Sequence, residues 1–287
     1  MERGVYTFDG DGESYGTFFR TERILYQSRS RFQEILVFDT KEMGRVLMLD
    51  NIFNVSDTME AFYHEPMAHI PLAMREGDQE VLIIGGGDFG LARQVLKHPF
   101  VTGITICELD PEIMEVCRKF FPEWAACESD ERLTVRVGDG FDYLDACPSE
   151  SLDTLLIDST DPYLRESPLI SEAFYQKAER ALKPGGVLMQ IIADFLFYKK
   201  IWFEVIPRVA SHFPVLKPIS IPIPFYATGS WGFLLAGKEQ TRLDPERVSE
   251  AFLGAIPELK TLTPDLVRGW FSLPPYLREE FGPMLGL

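Results

Sequence analysis

The run EVLIIGGGDFG at residues 80–90 constrains the fold more than any other feature of this chain. A short apolar stretch, typical of a buried β-strand, leads directly into a glycine-rich turn that opens a helix. Glycine permits a tight turn and lets the backbone approach a ligand closely. The run therefore predicts the first strand, turn and helix of a Rossmann-like sheet, and it places four glycines at the ligand: Gly85, Gly86, Gly87 and Gly90.

The same alternation of apolar strands and helical segments continues along the chain. The apolar stretches are ITICELD (104–110), LTVRVGD (133–139), DTLLIDST (153–160) and GVLMQII (186–192). This order indicates an α/β fold with a doubly wound, mainly parallel sheet that binds ligands at the carboxyl ends of its strands. An antiparallel hairpin and helices are expected after it, and the prolines of IPIPF favour an edge strand or a lid.

The residues before the glycine turn have a different pattern. From residue 15 to residue 56, short runs of β-branched and aromatic residues predict a small antiparallel sheet. Residues 60–74 have the spacing of a helix that joins the two parts. We therefore expect an N-terminal β-domain at residues 1–59 and a Rossmann-like catalytic domain, with a C-terminal hairpin and helices, at residues 60–287.

Composition excludes several classes of partner. The 44 acidic residues outnumber the 28 basic ones, giving a formal charge of −16 that repels nucleic acid and attracts cations. No apolar stretch approaches the roughly 18 residues of a membrane span, and the N-terminus is polar. The four cysteines form no Cys-x-x-Cys pair and are expected to be reduced. A cytoplasmic protein without membrane contact is the expectation.

Acidic residues follow three successive predicted strands. Asp88 lies in the glycine turn, where a carboxylate would repel the pyrophosphate of a dinucleotide and favour a cation such as an S-adenosyl sulfonium compound. Glu108 suits ribose hydroxyls, and Asp139-Gly140 suits an adenine amino group. Either acid could instead cap the helix that follows it.

The fourth strand ends in a pair of carboxylates, Asp158 and Asp161. Alkyl transfer from a sulfonium to an amine needs a neutral nitrogen, and most alkylamines are protonated at neutral pH. One carboxylate can accept the proton while the other orients the amine. A metal site is not expected, because His64 and His69 are five residues apart and point about 140° apart on a helix. His69 is expected to be structural.

Five motifs occur in an order that resembles the spermidine synthase family: YHEPMAHIPL, VLIIGGGDFG, ICELDPEIM, GDGFDYL and IDSTDP. The resemblance implies aminopropyl transfer from decarboxylated S-adenosylmethionine to a small cationic amine, with release of methylthioadenosine. It also implies no prosthetic group, and a homodimer or homotetramer.

The resemblance further implies a role for individual residues. Gln33 and Glu108 would contact ribose, Asp139 the adenine, and Asp88 the aminopropyl ammonium. Asp158 would be the proton acceptor. The remaining residues would surround the amine acceptor: Asp161 would bind it, Tyr63 and Tyr226 would lie beside the reacting nitrogen, and His64 would line the pocket.

The chain departs from the family pattern where the acceptor is expected. The differing positions are Asn54, Met59, Phe89, Ile191 and Tyr163-Leu164. Apolar side chains raise the cost of burying an unpaired ammonium. We therefore predict that putrescine is not the preferred acceptor and that a longer diamine, or a polyamine such as spermidine, is used better.

The residues alone leave other activities open. S-adenosylmethionine itself could donate a carboxyaminopropyl group if a cation such as Arg93 or Lys97 met its carboxylate. The same scaffold supports methyl transfer, and a protein that binds nucleoside or polyamine without turnover is a further alternative. The nucleoside product discriminates between the two transfers, because methyl transfer yields S-adenosylhomocysteine.

Overall fold

The computed structural model describes residues 5–9, 16–159 and 167–285. Its N-terminal part consists of two small antiparallel sheets, as the sequence predicts. The first sheet pairs two strands and the second has four strands in sequence order. Their bounds are β1 (Val5–Asp9), β2 (Thr17–Thr21), β3 (Arg23–Arg29), β4 (Glu34–Thr40), β5 (Gly44–Leu49) and β6 (Ile52–Ser56).

A seven-stranded sheet forms the centre of the rest of the chain. Five strands are parallel, and the last two form an antiparallel hairpin beside them. The bounds are β7 (Gln79–Gly85), β8 (Val101–Glu108), β9 (Leu133–Val137), β10 (Leu152–Asp158), β11 (Leu182–Ile191), β12 (Val215–Pro222) and β13 (Ser230–Gly237). Their order, β12-β13-β11-β10-β7-β8-β9, reverses between β7 and β10, and this reversal opens a crevice at the carboxyl ends of the strands.

Helices cover this sheet and extend the C-terminal end of the chain. Their bounds are α1 (Ala61–Ala73), α2 (Gly90–Val95), α3 (Pro111–Phe120), α4 (Pro122–Ala125), α5 (Gly140–Ala146), α6 (Glu172–Ala181), α7 (Lys199–Ala210), α8 (Glu250–Gly254), α9 (Pro264–Trp270) and α10 (Pro275–Leu285). Local chemistry sets several starts: Ser171 caps α6 through the Phe174 amide, and Thr263 caps α9 through the Leu266 amide.

The central sheet has an apolar core on each face. Along β10, Leu156 belongs to one core and Leu155 to the other, as the two-residue period of a strand requires. Helix α1 is buried on nearly all sides, so its polar residues need partners inside the protein. Glu65 accepts hydrogen bonds from the backbone amides of Lys260 (2.8 Å) and Thr261 (2.7 Å), which ties the C-terminal region to this helix.

The structure contains an edge strand and a helix that the sequence predicts. The strand that contains Pro218 and Pro222 lies at the edge of the sheet, where a missing N–H removes no ladder hydrogen bond. The helix that the glycine-rich turn opens, α2, is short, since it begins at Gly90 and ends at Val95. All four cysteines are free. Within the residues described, no helix has the length and apolar character needed to cross a bilayer.

Candidate active site

A cavity of about 540 Å³ occupies the crevice between the seven-stranded sheet and the N-terminal four-stranded sheet. Nearly all the residues predicted for the site line it. They are Gln33, Tyr63, His64, Gly85, Gly86, Gly87, Asp88, Glu108, Asp139, Gly140, Asp158 and Tyr226. Gly90 lies behind the wall of the cavity instead, and Asp161 falls outside the residues that the structure describes.

The glycine turn is required by close contacts and by backbone conformation. Gly85 and Gly86 have φ of 85° and 71°, a left-handed region that favours glycine. A Cβ on Gly85 would lie 1.9 Å from the carbonyl oxygen of Asp158, and one on Gly87 would lie 2.8 Å from the Glu108 carboxylate. The turn therefore brings the ends of three strands, β7, β8 and β10, together at the cavity.

Asp88 is held at the tip of this turn by two contacts. Its Oδ1 accepts a hydrogen bond from the Gly90 amide at 2.8 Å, and its Oδ2 lies 3.3 Å from His64 Nε2. Gly90 is needed there, because a Cβ would lie 2.1 Å from the His64 ring. The buried Asp88 therefore presents a carboxylate of fixed orientation to the cavity.

Asp158 faces the same space from the end of β10. The Tyr63 hydroxyl donates a 2.5 Å hydrogen bond to Asp158 Oδ1, and the Tyr226 ring lies 6.4 Å from the Tyr63 ring. Burial raises the pKa of Asp158 to about 6, with a further rise from Asp88 that His64 and Tyr63 oppose. A carboxyl with this pKa can accept a proton and release it near neutral pH.

Glu108 and Asp110 link the seven-stranded sheet to the N-terminal four-stranded sheet. Glu108 accepts hydrogen bonds from the Gly87 amide (3.1 Å) and the Asp110 amide (2.8 Å). Burial raises its pKa to about 7 against those two donors. Asp110 Oδ2 in turn accepts from Gln33 Nε2 at 3.1 Å and from Ser30 Oγ at 2.6 Å. Gln33 thus reaches the cavity from the N-terminal sheet.

Asp139 both lines the cavity and caps a helix. Its Oδ1 accepts the Phe141 amide at 2.7 Å, so the capping alternative raised by the sequence describes the observed contact. Gly140 is required by packing, since a Cβ there would lie 2.3 Å from Ile84 Cγ2. Both roles leave the second Asp139 oxygen available to a ligand.

The departures from the family pattern are distributed unevenly. Asn54 and Ile191 line the cavity, and Tyr163-Leu164 falls outside the described residues. Met59 was expected beside the amine; it packs instead against the apolar core and does not line the cavity. Phe89 is completely buried behind the glycine turn, where its ring lies 5.4 Å from the Arg118 guanidinium carbon.

His69 has a structural setting, as expected. Its Nδ1 lies 2.9 Å from His98 Nε2, in a buried pair away from the cavity. Among the residues described, no group of three or more His, Cys, Asp or Glu side chains is arranged so that it could hold a metal ion.

Two residues of the site region, Asp110 and Glu60, had no role in the sequence-based prediction, and Arg93 was considered only as a partner of a donor carboxylate. Asp110 lines the cavity, and its position before Pro111 is the usual signal of a helix cap. The buried Glu60 forms an ion pair of 2.7 Å with the half-buried Arg93 behind His64. The i,i+4 spacing of Glu60 and His64 signals contact on one helix face, but no sequence signal pairs either residue with Arg93.

Two protein-family models together match most of the chain. The model for the spermine/spermidine synthase domain matches residues 60–245, and the model for the spermidine synthase tetramerisation domain matches residues 9–57.

Individual relatives agree with these matches. A spermine synthase of Arabidopsis thaliana is 34% identical over 96% of this chain and 77% of its own length. A polyamine aminopropyltransferase of Bacillus cytotoxicus is 33% identical over 92% of this chain and 94% of its own length.

Solved structures share the fold. A spermidine synthase in complex with the transition-state analogue AdoDATO superposes with a TM-score of 0.90 at 30% identity, covering 97% of this chain and 95% of that one. The spermidine synthase of Thermotoga maritima gives a TM-score of 0.87 at 29% identity, covering 97% and 94%.

Proposed function

This chain belongs to the spermine/spermidine synthase family, and we propose that Asp158 is the group that accepts the proton of the attacking amine. The chain is an aminopropyltransferase. It transfers an aminopropyl group from decarboxylated S-adenosylmethionine to an amine and releases methylthioadenosine. The amine nitrogen attacks the propyl carbon attached to sulfur, the carbon–sulfur bond breaks, and its electron pair neutralises the sulfonium.

One observation carries the assignment to Asp158. Asp158 is the cavity carboxylate that combines a raised pKa, about 6, with a hydrogen bond from a tyrosine hydroxyl, and it lies at the end of a strand. The in-line attack requires a nitrogen with a free electron pair. Asp158 takes the surplus proton, and the hydroxyl of Tyr63 stabilises its ionised form. Tyr226 closes the same side of the cavity.

The donor is proposed to lie along the ends of β7, β8 and β9. Asp88 binds the ammonium of its aminopropyl group, Glu108 and Gln33 bind the ribose, and Asp139-Gly140 binds the adenine. Among the described residues that line the cavity there is no lysine or arginine. A donor that keeps its carboxylate would therefore meet acids there, which favours the decarboxylated form.

Replacement of Asp158 by asparagine tests this assignment. Asp158→Asn keeps the shape of the side chain and removes the proton acceptor, so turnover should fall on the order of 10²-fold or more. Binding of methylthioadenosine, measured by calorimetry, should remain. Products should be identified by mass spectrometry with each sulfonium donor and a panel of amines. Near-normal turnover in the variant would remove Asp158 from this role.

The acceptor is proposed to be longer than putrescine. Ile191 lies 3% exposed in the cavity wall, and Phe53 and Val55 line the facing surface of β6. An apolar wall suits a methylene chain and disfavours an ammonium close to the reacting nitrogen. Asp161, which falls outside the described residues, is proposed to bind the acceptor.

A comparison of specificity constants tests the acceptor. With one donor, spermidine should exceed putrescine, cadaverine and agmatine. Ile191→Thr keeps the β-branch and adds a hydroxyl, so putrescine should improve relative to spermidine. Ile192→Thr, in the core on the opposite face of the sheet, is the matched control and should leave the ratio unchanged. A clear preference of the unmodified enzyme for putrescine would contradict the proposal and leave the aminopropyl transfer intact.

We also propose the number of chains in the assembly and the division of the chain into domains. The chain forms a homo-oligomer, and the name of the N-terminal family model favours a tetramer over a dimer. The division into residues 1–59 and 60–287 is supported by the two family models, which abut between residues 57 and 60.

A further inference from the structure

A continuous row of charged side chains extends from Asp88 to the edge of α2, behind the cavity wall. Arg93 Nη2 lies 2.7 Å from Glu60 Oε1, Glu60 Oε2 lies 2.9 Å from His64 Nδ1, and His64 Nε2 lies 3.3 Å from Asp88 Oδ2. Glu60, His64 and Asp88 are 2%, 1% and 7% exposed. Glu60 and Arg93 do not line the cavity and have no part in the reaction described above.

The geometry of this row determines the protonation of His64. Each of its two ring nitrogens faces a carboxylate oxygen, and a neutral imidazole has only one N–H to offer. The other nitrogen would then direct a lone pair at a carboxylate, which is repulsive. The imidazolium has an N–H at both positions, so it donates a hydrogen bond to Glu60 from Nδ1 and makes an ion contact with Asp88 from Nε2, 3.3 Å away.

The ring cannot turn away from this position. Gly90 packs against it so closely that a Cβ would lie 2.1 Å from His64 Cε1, and the Trp124 ring lies edge-on at 5.9 Å. The charged groups around it are Glu60 on its own helix, Asp88 in the glycine turn and Asp158 at the end of β10. Arg93 of α2 adds a positive charge, but it lies on the far side of Glu60.

We propose that Glu60 and Arg93 are positioning residues, which hold His64 as an imidazolium and thereby fix the orientation of the Asp88 side chain toward the ammonium of the donor. The proposal rests on the aminopropyl transfer described above. Glu60 acts on His64 by accepting its Nδ1 proton, and Arg93 fixes the carboxylate of Glu60 in the orientation that this contact needs. Neither residue touches the substrate.

The electrostatics of the buried row support this role. Burial lowers the pKa of His64, but Asp88 and Glu60 outweigh that effect and raise it to about 10. Burial raises the pKa of Glu60, but the contacts with His64 and Arg93 outweigh this effect and lower the pKa to about 2. Because the charge on His64 also lowers the pKa of Asp158, loss of that charge should make Asp158 harder to ionise.

Nitrogen-15 NMR of the histidine rings tests the charge state without any turnover. The chain has four histidines, and His64→Gln identifies the signal of His64 by its loss. In the wild-type protein at pH 8, both ring nitrogens of His64 should carry a proton. In Glu60→Gln, which keeps the hydrogen bond and removes the anion, one proton should be lost below pH 8. A singly protonated His64 in the wild-type protein at pH 7 would overturn the proposal.

Steady-state kinetics tests the consequence for the donor. Glu60→Gln should raise KM for decarboxylated S-adenosylmethionine on the order of tenfold, because the charge-assisted hydrogen bond to His64 becomes a neutral one, and should change kcat less. The acidic limb of the kcat/KM profile should move to higher pH. Arg93→Met should shift both in the same direction, and Arg93→Lys should restore part of the effect.

Controls separate this role from a general loss of structure. Glu204→Gln removes the exposed carboxylate of an i,i+4 pair with Arg208 and should change neither KM nor the pH profile. An unchanged donor KM and acidic limb in Glu60→Gln would overturn the proposal. If the wild-type protein released no methylthioadenosine with any amine, the proposed reaction would fail, while the NMR result would still decide the charge of His64.

Discussion

Phe89 combines a favourable burial with an unfavourable backbone. It is completely buried, yet it has a φ of 69° at the start of α2, in the left-handed region where a side chain costs about 1–2 kcal/mol. The ring compensates by packing in the core and by its contact with Arg118, 5.4 Å away. The resulting turn keeps Asp88 directed at the cavity, so this position accommodates an aromatic residue despite its left-handed backbone.

Truncation of Phe89 should separate these two effects. Loss of a buried phenylalanine costs about 3–5 kcal/mol, so both Phe89→Ala and Phe89→Gly should be less stable than the wild-type protein. Glycine should lose less than alanine, by about 0.5–1 kcal/mol, because it tolerates positive φ but gains freedom in the unfolded chain. Urea unfolding measures both differences. A Phe89→Gly variant as stable as the wild-type protein would show that the ring contributes nothing.

At the scale of single residues, the sequence predicted the site residues that lie at the ends of its predicted strands. Asp88, Glu108, Asp139 and Asp158 each follow a strand, and all four reach one cavity because parallel strands end at the same edge. Arg93 could not be assigned to Glu60 in this way. Their pairing depends on how α1 packs on α2, a contact 33 positions apart in sequence.

Contacts between elements explain what the sequence missed. Met59 follows the N-terminal sheet and precedes α1, and its half-buried side chain packs against the core and does not line the cavity. The period of apolar residues predicts each element but not its rotation about its own axis relative to a neighbour. His69 was expected to be structural, but no sequence signal identified His98 as its partner.

The pair of His69 and His98 links α1 to the end of α2 and should make stability depend on pH. Burial lowers the pKa of His98 to about 4, with a smaller effect from Lys97, and burial lowers that of His69 well below its usual value. The unfolded chain takes up protons below pH 6.5, whereas the folded pair does not until about pH 4. The stabilisation by this pair is therefore present above pH 6.5 and is lost as the pH falls toward 4.

Thermal unfolding at pH 7 and pH 5 checks this dependence. The wild-type protein should lose on the order of 3–4 kcal/mol between these values through the pair, roughly 2 kcal/mol for each histidine, in addition to the effect of its carboxylates. His98→Gln should show a smaller difference between the two pH values, even if it is less stable at both. His212→Gln is the matched control, because His212 lies beside Glu179 away from the pair. An equal pH dependence in wild type and His98→Gln would contradict the assignment.

At the scale of the whole molecule, the N-terminal sheets expose two large apolar side chains. Phe18 on β2 and Ile24 on β3 are 63% and 50% exposed. These strands lie within the residues matched by the tetramerisation-domain model, at 9–57. Apolar side chains that are exposed in one chain can be buried when chains associate. We therefore expect the oligomer to form through the N-terminal sheets.

Light scattering coupled to gel filtration measures the assembly directly. The wild-type protein should have four times the 32.7 kDa mass of the chain, and the double variant Phe18→Ser/Ile24→Ser should shift toward smaller species as the buried apolar area decreases. The matched control is Leu196→Ser/Phe197→Ser, which replaces residues of similar exposure, 61% and 54%, before α7. It should keep the wild-type mass. Circular dichroism should show unchanged secondary structure in both double variants. A monomeric wild-type protein, or equal dissociation of the two double variants, would contradict association through the N-terminal sheets.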